Sequence, residues 1–442
     1  MHERRHIVSI ALGIIALVCA AYLRSVFNGF IWDDPEHVVN NPLLYDFAGL
    51  WQIWTNRGAT MHYYPVTFTS FWIEVRYLWG LNPNGFHAVN TLLHAANAVL
   101  LWRVLSHLKV PGALAVALVF AVHPVHVESV AWISERKNVL SGLFYFLSLL
   151  TYMRFAAARG DAWAAGVGPV RGDRVAQYLF GATVLYVLSI LSKTVTCSLP
   201  AVILIIIWWK NGRLRWRDVL PTLPMFALGL ATAIAAIFFE RDQIGAGVVY
   251  DYSFLERFLI AGRVVWTYAW LLVWPHPLVF FYPDWTVDAS AWWQYLFPVS
   301  AIALVLTLVL LSRRIGRGPA AAVLMFGGTL VPAMGFVAVF PMTFSFVADH
   351  FQYLASIGFI TLVVGTIAYH VQRGPEAARA AAVGLFAAVL LLLAFLTWEQ
   401  SKVYQNQKTL WRHTIEHNPR SAVAHLNLGL EWHNAANHPR LE

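Results

Sequence analysis

The 442-residue chain predicts an all-α polytopic membrane protein, and three observations carry that reading. Apolar residues make up 59% of the chain and charged residues only 12%, too little charge to cover a soluble surface of this size. Apolar runs of roughly 17–25 residues, the length that crosses a bilayer as helix, recur from end to end. Basic residues fall in short clusters between those runs, the pattern of cytoplasmic loops. The formal net charge of +8 therefore points away from nucleic acid. The two cysteines, Cys19 and Cys197, lie far apart in apolar stretches and predict neither a disulfide framework nor thiol catalysis.

Taken in order, the first apolar run covers 7–24. His2-Glu3-Arg4-Arg5-His6 ahead of it imitates a signal peptide, with Val18-Cys19-Ala20 at the place of a cleavage site. The run exceeds a signal core and more apolar spans follow, so it reads as an uncleaved first span. Further apolar runs cover about 87–105, 111–127, 138–156, 175–192, 195–209, 219–239, 258–274, 293–311, 319–340, 353–371 and 379–397. Arg4 and Arg5, Arg103 with Lys109, Arg154 to Arg174, Lys210 to Arg217, Arg313 to Arg317, and Arg373 with Arg379 mark inside turns. Strict alternation satisfies these marks only if 258–274 does not cross. Its flanks, Trp274-Pro275-His276-Pro277 and Phe280-Phe281-Tyr282-Pro283, are aromatic and proline-rich, as an interfacial segment requires. The expectation is about eleven crossings, N-terminus inside and C-terminus outside.

The outside segments are then about 25–86, 128–137, 193–194, 240–292, 341–352 and 398–442. Leu50-Trp51-Gln52-Ile53-Trp54 predicts an interfacial helix lying flat on the membrane. The chain divides into a transmembrane domain, 1–397, and a polar helical tail, 398–442. In the tail, Asn418-Pro419-Arg420-Ser421-Ala422 and Leu428-Gly429 resemble the first helix of a tetratricopeptide repeat (TPR), the start of a truncated repeat region. A plain amphipathic tail is the alternative.

On this topology the uncommon ionisable residues gather at the outer side. Asp33 and Asp34 follow the first span in Phe27-Asn28-Gly29-Phe30-Ile31-Trp32-Asp33-Asp34-Pro35. His123, His126 and Glu128 end the third span, and Glu135, Arg136 and Lys137 open the fourth. Lys193 sits in the turn between two spans, and Asp349, His350 and Tyr353 lie near the next-to-last. Arg136, Lys137 and Lys193 stand where the positive-inside rule disfavours them. Guanidinium and ammonium groups there suit a phosphate clamp; snorkelling or ion pairing with Glu128 or Glu135 is the plainer reading. Asp before Pro is a helix N-cap, so one aspartate caps while the other, Asp34 ahead of Asp33, serves as a general base. His123, His126, Glu128, His350 and Tyr353 are substrate-binding or structural polar groups. Divalent metal at His-x-x-His-x-Glu is the minor reading, so no metal or cofactor is expected. His87, Asn90 and His94, at helical spacing, read as interhelical hydrogen-bond partners.

The segments Phe30-Ile31-Trp32-Asp33-Asp34-Pro35, Tyr64-Pro65, His87-x-x-Asn90-x-x-x-His94 and His123-Pro124-Val125-His126-Val127-Glu128 through Glu135-Arg136-Lys137 resemble the membrane portion of TMTC (transmembrane and tetratricopeptide repeat-containing) proteins, in particular bacterial relatives. Phe281-Tyr282-Pro283 and Asp349-His350-Phe351-Gln352-Tyr353-Leu354 fit the same likeness, which covers about 25–430. The resemblance implies a GT-C-like bundle that transfers a hexose, mannose in the eukaryotic relatives, from a polyprenyl phosphate. The acceptor is a hydroxyl of a polypeptide or glycan at the outer face of a bacterial inner membrane. It implies an acidic residue of the first external loop, Asp33 or Asp34, as the base, and Arg136, Lys193 and Lys137 at the donor phosphate. It also implies a lipid-linked sugar as partner and protein partners for the TPR-like tail. Two positions depart from the family: Gln352 replaces an Arg of many relatives, and the repeat array is nearly absent. A transporter or flippase of a lipid-linked substrate, or a non-catalytic scaffold, are the alternatives. The first would favour inverted repeats, and 1–220 and 221–397 show no convincing duplication.

Overall fold

A computed structural model describes residues 2–243, 252–336 and 340–437. Among these residues there is no strand. The main helices are α1 (His2–Ala21), α2 (Phe47–Thr55), α3 (Pro65–Ile73), α4 (Pro83–His107), α5 (Ala113–Val122), α6 (Val127–Ala131), α7 (Arg136–Ala158), α8 (Val175–Ser192) and α9 (Leu199–Asn211). They continue with α10 (Leu223–Gln243), α11 (Phe254–Val273), α12 (Leu296–Leu310), α13 (Gly318–Leu330), α14 (Ser356–Val371), α15 (Glu376–Gln400), α16 (Gln407–His417) and α17 (Ala422–Asn437). Among the described residues, seven helical stretches are long and apolar enough to cross a membrane. The pair α5–α6 also qualifies if taken as one span, bent by 55°. Three shorter apolar helices, Arg5–Ala21, Gly318–Ala333 and Ser356–Val371, stand at three further expected positions. The protein is an all-α, multi-pass membrane protein.

Local chemistry sets the helix boundaries. Pro83 occupies the first turn of α4, and the Asn82 side chain accepts from Asn84 N at 3.1 Å. Asp46 caps α2 by accepting from Gly49 N at 2.6 Å. The α5–α6 bend falls at His123-Pro124, where proline drives the preceding residue out of the helical region. Between the spans, small hydroxyl residues allow close approach and bond across. Ser148 Oγ donates to Ala182 O at 2.7 Å and Ser189 Oγ to Ser141 O at 2.8 Å, joining α7 to α8. Gly358 of α14 is needed for packing, because a Cβ there would lie 2.6 Å from Ala322 O of α13. By contrast, α15 keeps almost all its apolar side chains outside, Leu385 and Leu391 among them, as a lipid-facing span does.

The basic clusters meet at one end of the bundle. Arg159 bonds Arg217 O and pairs with Asp218, Lys210 donates to Leu108 O, and Arg317 donates to Trp208 O and Trp209 O. The segment expected not to cross behaves differently from its neighbours. Along α11, Arg257 donates to Phe336 O, Trp266 to Phe297 O, Tyr268 bonds Ala348, and Leu272 O bonds His123. All four partners lie at the end opposite the basic clusters, so α11 lies across that end. In α2, Phe47, Trp51 and Trp54 are exposed, the amphipathic face expected of Leu50–Trp54.

Candidate active site

The loop 28–34 is pinned from outside. Asn28 Nδ2 donates to Ser401 O at 3.1 Å, and Gly29 N donates to Gln405 O at 2.9 Å. Trp32 takes φ +49°, a left-handed conformation that a bulky residue rarely adopts. Its ring packs edge-on against Phe280, Phe281, Phe344 and Trp411. The two acids after it then face different surroundings. Asp34 is wholly buried: Oδ2 accepts from Ile31 N at 2.9 Å, and Oδ1 accepts from Ser134 N at 2.8 Å and Ser134 Oγ at 2.6 Å. Burial, with the like charge of Asp33 adding to it, pushes the Asp34 carboxyl up to about 8, against the pull of those donors. Asp34 therefore ties the loop to Ser134, just ahead of α7. Asp33 lines a cavity, and its Oδ1 has no hydrogen-bond partner among the described residues.

That cavity holds about 680 Å³ and has two kinds of wall. Its polar end carries Asp33, Glu128, Glu135, Lys137, Lys193 and His350. Its walls also include Ala233, Ala236 and Ile237 of α10 with Val331, Pro332 and Phe336, and of these Ile237 and Val331 are exposed. At the polar end Glu135 accepts from Lys137 and from Lys193, each at 2.9 Å. Two ammoniums thus share one carboxylate. Burial pushes Lys193 down to about 8; Glu135 draws it back up, and Lys137 opposes that. Glu128 accepts from His350 N at 2.9 Å and stands 3.1 Å from its Nδ1. The neighbouring Asp349 accepts from Tyr282 OH at 2.8 Å, and burial beside Glu128 raises its carboxyl well above the usual range.

Arg136 departs from its expected place. Its guanidinium is buried away from the cavity, paired with Glu74 and bonded to Asn90 Oδ1 and Phe86 O. Every edge of the fork is occupied, so the phosphate-clamp assignment for Arg136 is corrected to a tie between α4, α7 and the helix after α3. His123, His126 and Tyr353 each bond to neighbouring elements. His123 Nε2 bonds Leu272 O, His126 joins Phe120 O to Ser356 Oγ, and Tyr353 OH bonds His94 and Asn97. His94, Asn90 and His87 do bond across elements, to Ala121 O, Trp132 O and Gly29 O. No cluster of three or more potential metal ligands occurs among the described residues. Two histidines went unremarked in the sequence. His62 lines the cavity, and His37 sits one turn after Asp33, a spacing that could have flagged it.

No family model matches the chain, and no solved structure matches it. Curated relatives do. The chain is 37% identical over 169 residues to protein O-mannosyl-transferase TMTC4 of Homo sapiens, covering 33% of this chain and 22% of the relative. It is 29% identical over 320 residues to TMTC2 of Mus musculus, covering 64% of this chain and 35% of the relative. A protein O-mannosyl-transferase of Caenorhabditis elegans is 24% identical over 445 residues, covering 94% of this chain and 59% of the relative. The matches thus span from about a fifth to three-fifths of these relatives' own lengths. The buried acids, the lysine pair and the histidine-rich bend sit in a chain that is, by these similarities, a relative of the TMTC proteins.

Proposed function

We propose that the protein is a glycosyltransferase of the GT-C kind. It moves a hexose, mannose by analogy with the names of its relatives, from a polyprenyl phosphate to a hydroxyl of a protein acceptor. The observation that carries this reading is the mixed lining of the cavity: two lysines together with apolar side chains of α10 and of residues 331–336. A donor with an anionic head and a long apolar tail matches both walls at once. Lys137 and Lys193 offset the charge that develops on the departing phosphate. Asp33 supplies the carboxylate that draws off the acceptor proton. The basic end faces the cytoplasm and the cavity faces outside, in a bacterial inner membrane; the clustering of basic residues at one end supports that orientation. The C-terminal helix pair is the start of a TPR region that meets protein partners.

The test uses the purified full chain, a labelled polyprenyl-phosphate hexose and a Ser/Thr acceptor peptide. Asp33→Asn is expected to cut transfer by roughly 10²–10⁴-fold, the range for losing a general base, with membrane insertion unchanged. Asp34→Asn is expected to keep its transfer rate once folded, because that group already holds its proton near neutral pH. Full activity of Asp33→Asn would sink the assignment.

A further inference from the structure

The loop between α2 and α3 brings two rings to the large cavity that the proposed reaction leaves unused. His62 and Tyr64 both stand in its wall. Their rings are stacked, with centroids 5.6 Å apart and planes 29° from parallel. The backbone fixes the pair. His62 O accepts from Thr60 Oγ1 at 2.7 Å and from Tyr64 N at 3.0 Å, and Tyr64 stands directly before Pro65, the first residue of α3.

The surroundings of His62 are those of the lysine pair. Its ring is 6.4 Å from the ring of His37, whose Nδ1 lies 3.5 Å from Asp33 Oδ2. Burial holds the His62 pKa well below its ordinary value; Lys137, His37 and Lys193 add to that, and Glu135 opposes it. The imidazole is therefore neutral, with one N–H donor and one bare acceptor. Neither nitrogen bonds another described residue. His62 is only half-buried, and neither of its nitrogens is sealed off as Nε2 of His37 is.

Chemistry narrows what such a wall can hold. A phosphate presents acceptors and is better matched by the two ammoniums. A lipid tail has no polar atom for either nitrogen. A sugar ring satisfies both: each hydroxyl donates and accepts, and the C–H groups of the ring suit the electron-rich face of an aromatic side chain. We infer that His62 and Tyr64 form the subsite for the sugar of the lipid-linked donor, with His62 hydrogen-bonding its hydroxyls. This rests on the transferase reading. In a glycosyl phosphate the anomeric oxygen is bonded to phosphorus, so a phosphate held at Lys137 and Lys193 keeps the sugar close to them. His62 contacts the group that is transferred and moves no proton, and Asp33 stays the base.

Two lipids and two variants of the full chain in detergent test this: a polyprenyl-phosphate hexose, and the same polyprenyl phosphate without sugar. His62→Ala is expected to weaken the hexosyl lipid about tenfold, the scale of losing hydrogen bonds to a bound group, and to leave the bare lipid unchanged. His62→Phe keeps a ring on Tyr64 but has no ring nitrogen, and is expected to lose the hexosyl lipid in the same way. Binding of the bare lipid reports that each variant is folded. Wild-type affinity for the hexosyl lipid in either variant overturns the inference and leaves the transferase reading standing. Equal loss of both lipids in both variants also overturns it, since His62 then supports the cavity as a whole. A wild-type chain that binds neither lipid overturns the transferase reading, and the inference with it.

Discussion

The two ends of the bundle use the same cations in different ways. At the basic end cations and carboxylates are matched in number, two arginines to two aspartates. Arg159 and Arg217 face Asp161 and Asp218, and Lys210 and Arg317 bond carbonyls that the ends of α4 and α9 leave open. At the cavity end Lys137 and Lys193 divide one carboxylate between them. A cation with a dedicated partner holds structure. Two cations on one carboxylate leave each ammonium with N–H donors to spare in a buried place, and those donors are what an anionic ligand would find. Arg136 makes the distinction sharp: it is one residue from Lys137 in sequence, yet its private partner Glu74 takes it out of the site.

The contrast predicts a graded series. Arg136→Met leaves Glu74 buried without its charge partner and is expected to destabilise the fold by about 3–5 kcal/mol, read by thermal unfolding in detergent. The double variant Arg136→Met, Glu74→Leu is expected to recover most of that loss. Lys193→Ala is expected to fold normally and lower transfer about a hundredfold, since it removes a donor to the ligand while Lys137 still pairs with Glu135. If it unfolds the protein as Arg136→Met does, the distinction between private and shared cations fails. The depressed pKa of Lys193 gives a third handle. Its ammonium is charged below about 8 and neutral above, so affinity for an anionic donor lipid is expected to fall as pH rises through that value. Lys193→Arg, charged throughout, is expected to flatten the profile. The smallest effect belongs to the basic end. Arg317→Ala removes a contact to helix-terminal carbonyls and is expected to cost about 1 kcal/mol or less, with transfer unchanged.

The spans were legible in the sequence because a bilayer imposes length and apolarity residue by residue, and each expected run has a helix at its place. The gathering of Asp33, Glu128, Glu135, Lys137, Lys193 and His350 at one cavity was also legible, because alternating spans put alternate loops at one end. The private pairing of Arg136 was not, because Glu74 lies 62 residues away on the short helix after α3, with nothing local to mark it. The division between Asp33 and Asp34 was hidden for another reason: it depends on the backbone of Trp32 turning to φ +49°.

Trp32 has a practical consequence for dissecting the chain. It touches Trp411 of α16, which is itself fully buried against Phe280 and Phe281, and α17 packs on α16. The helical tail after residue 397 is therefore the lid of the hydrophobic box that clamps the acidic loop. Cutting the chain there would bare Trp32, Phe280 and Phe281 together and release the backbone twist that separates the two aspartates. Excising the tail to obtain a minimal membrane domain would remove the support of Asp33 along with the supposed appendage.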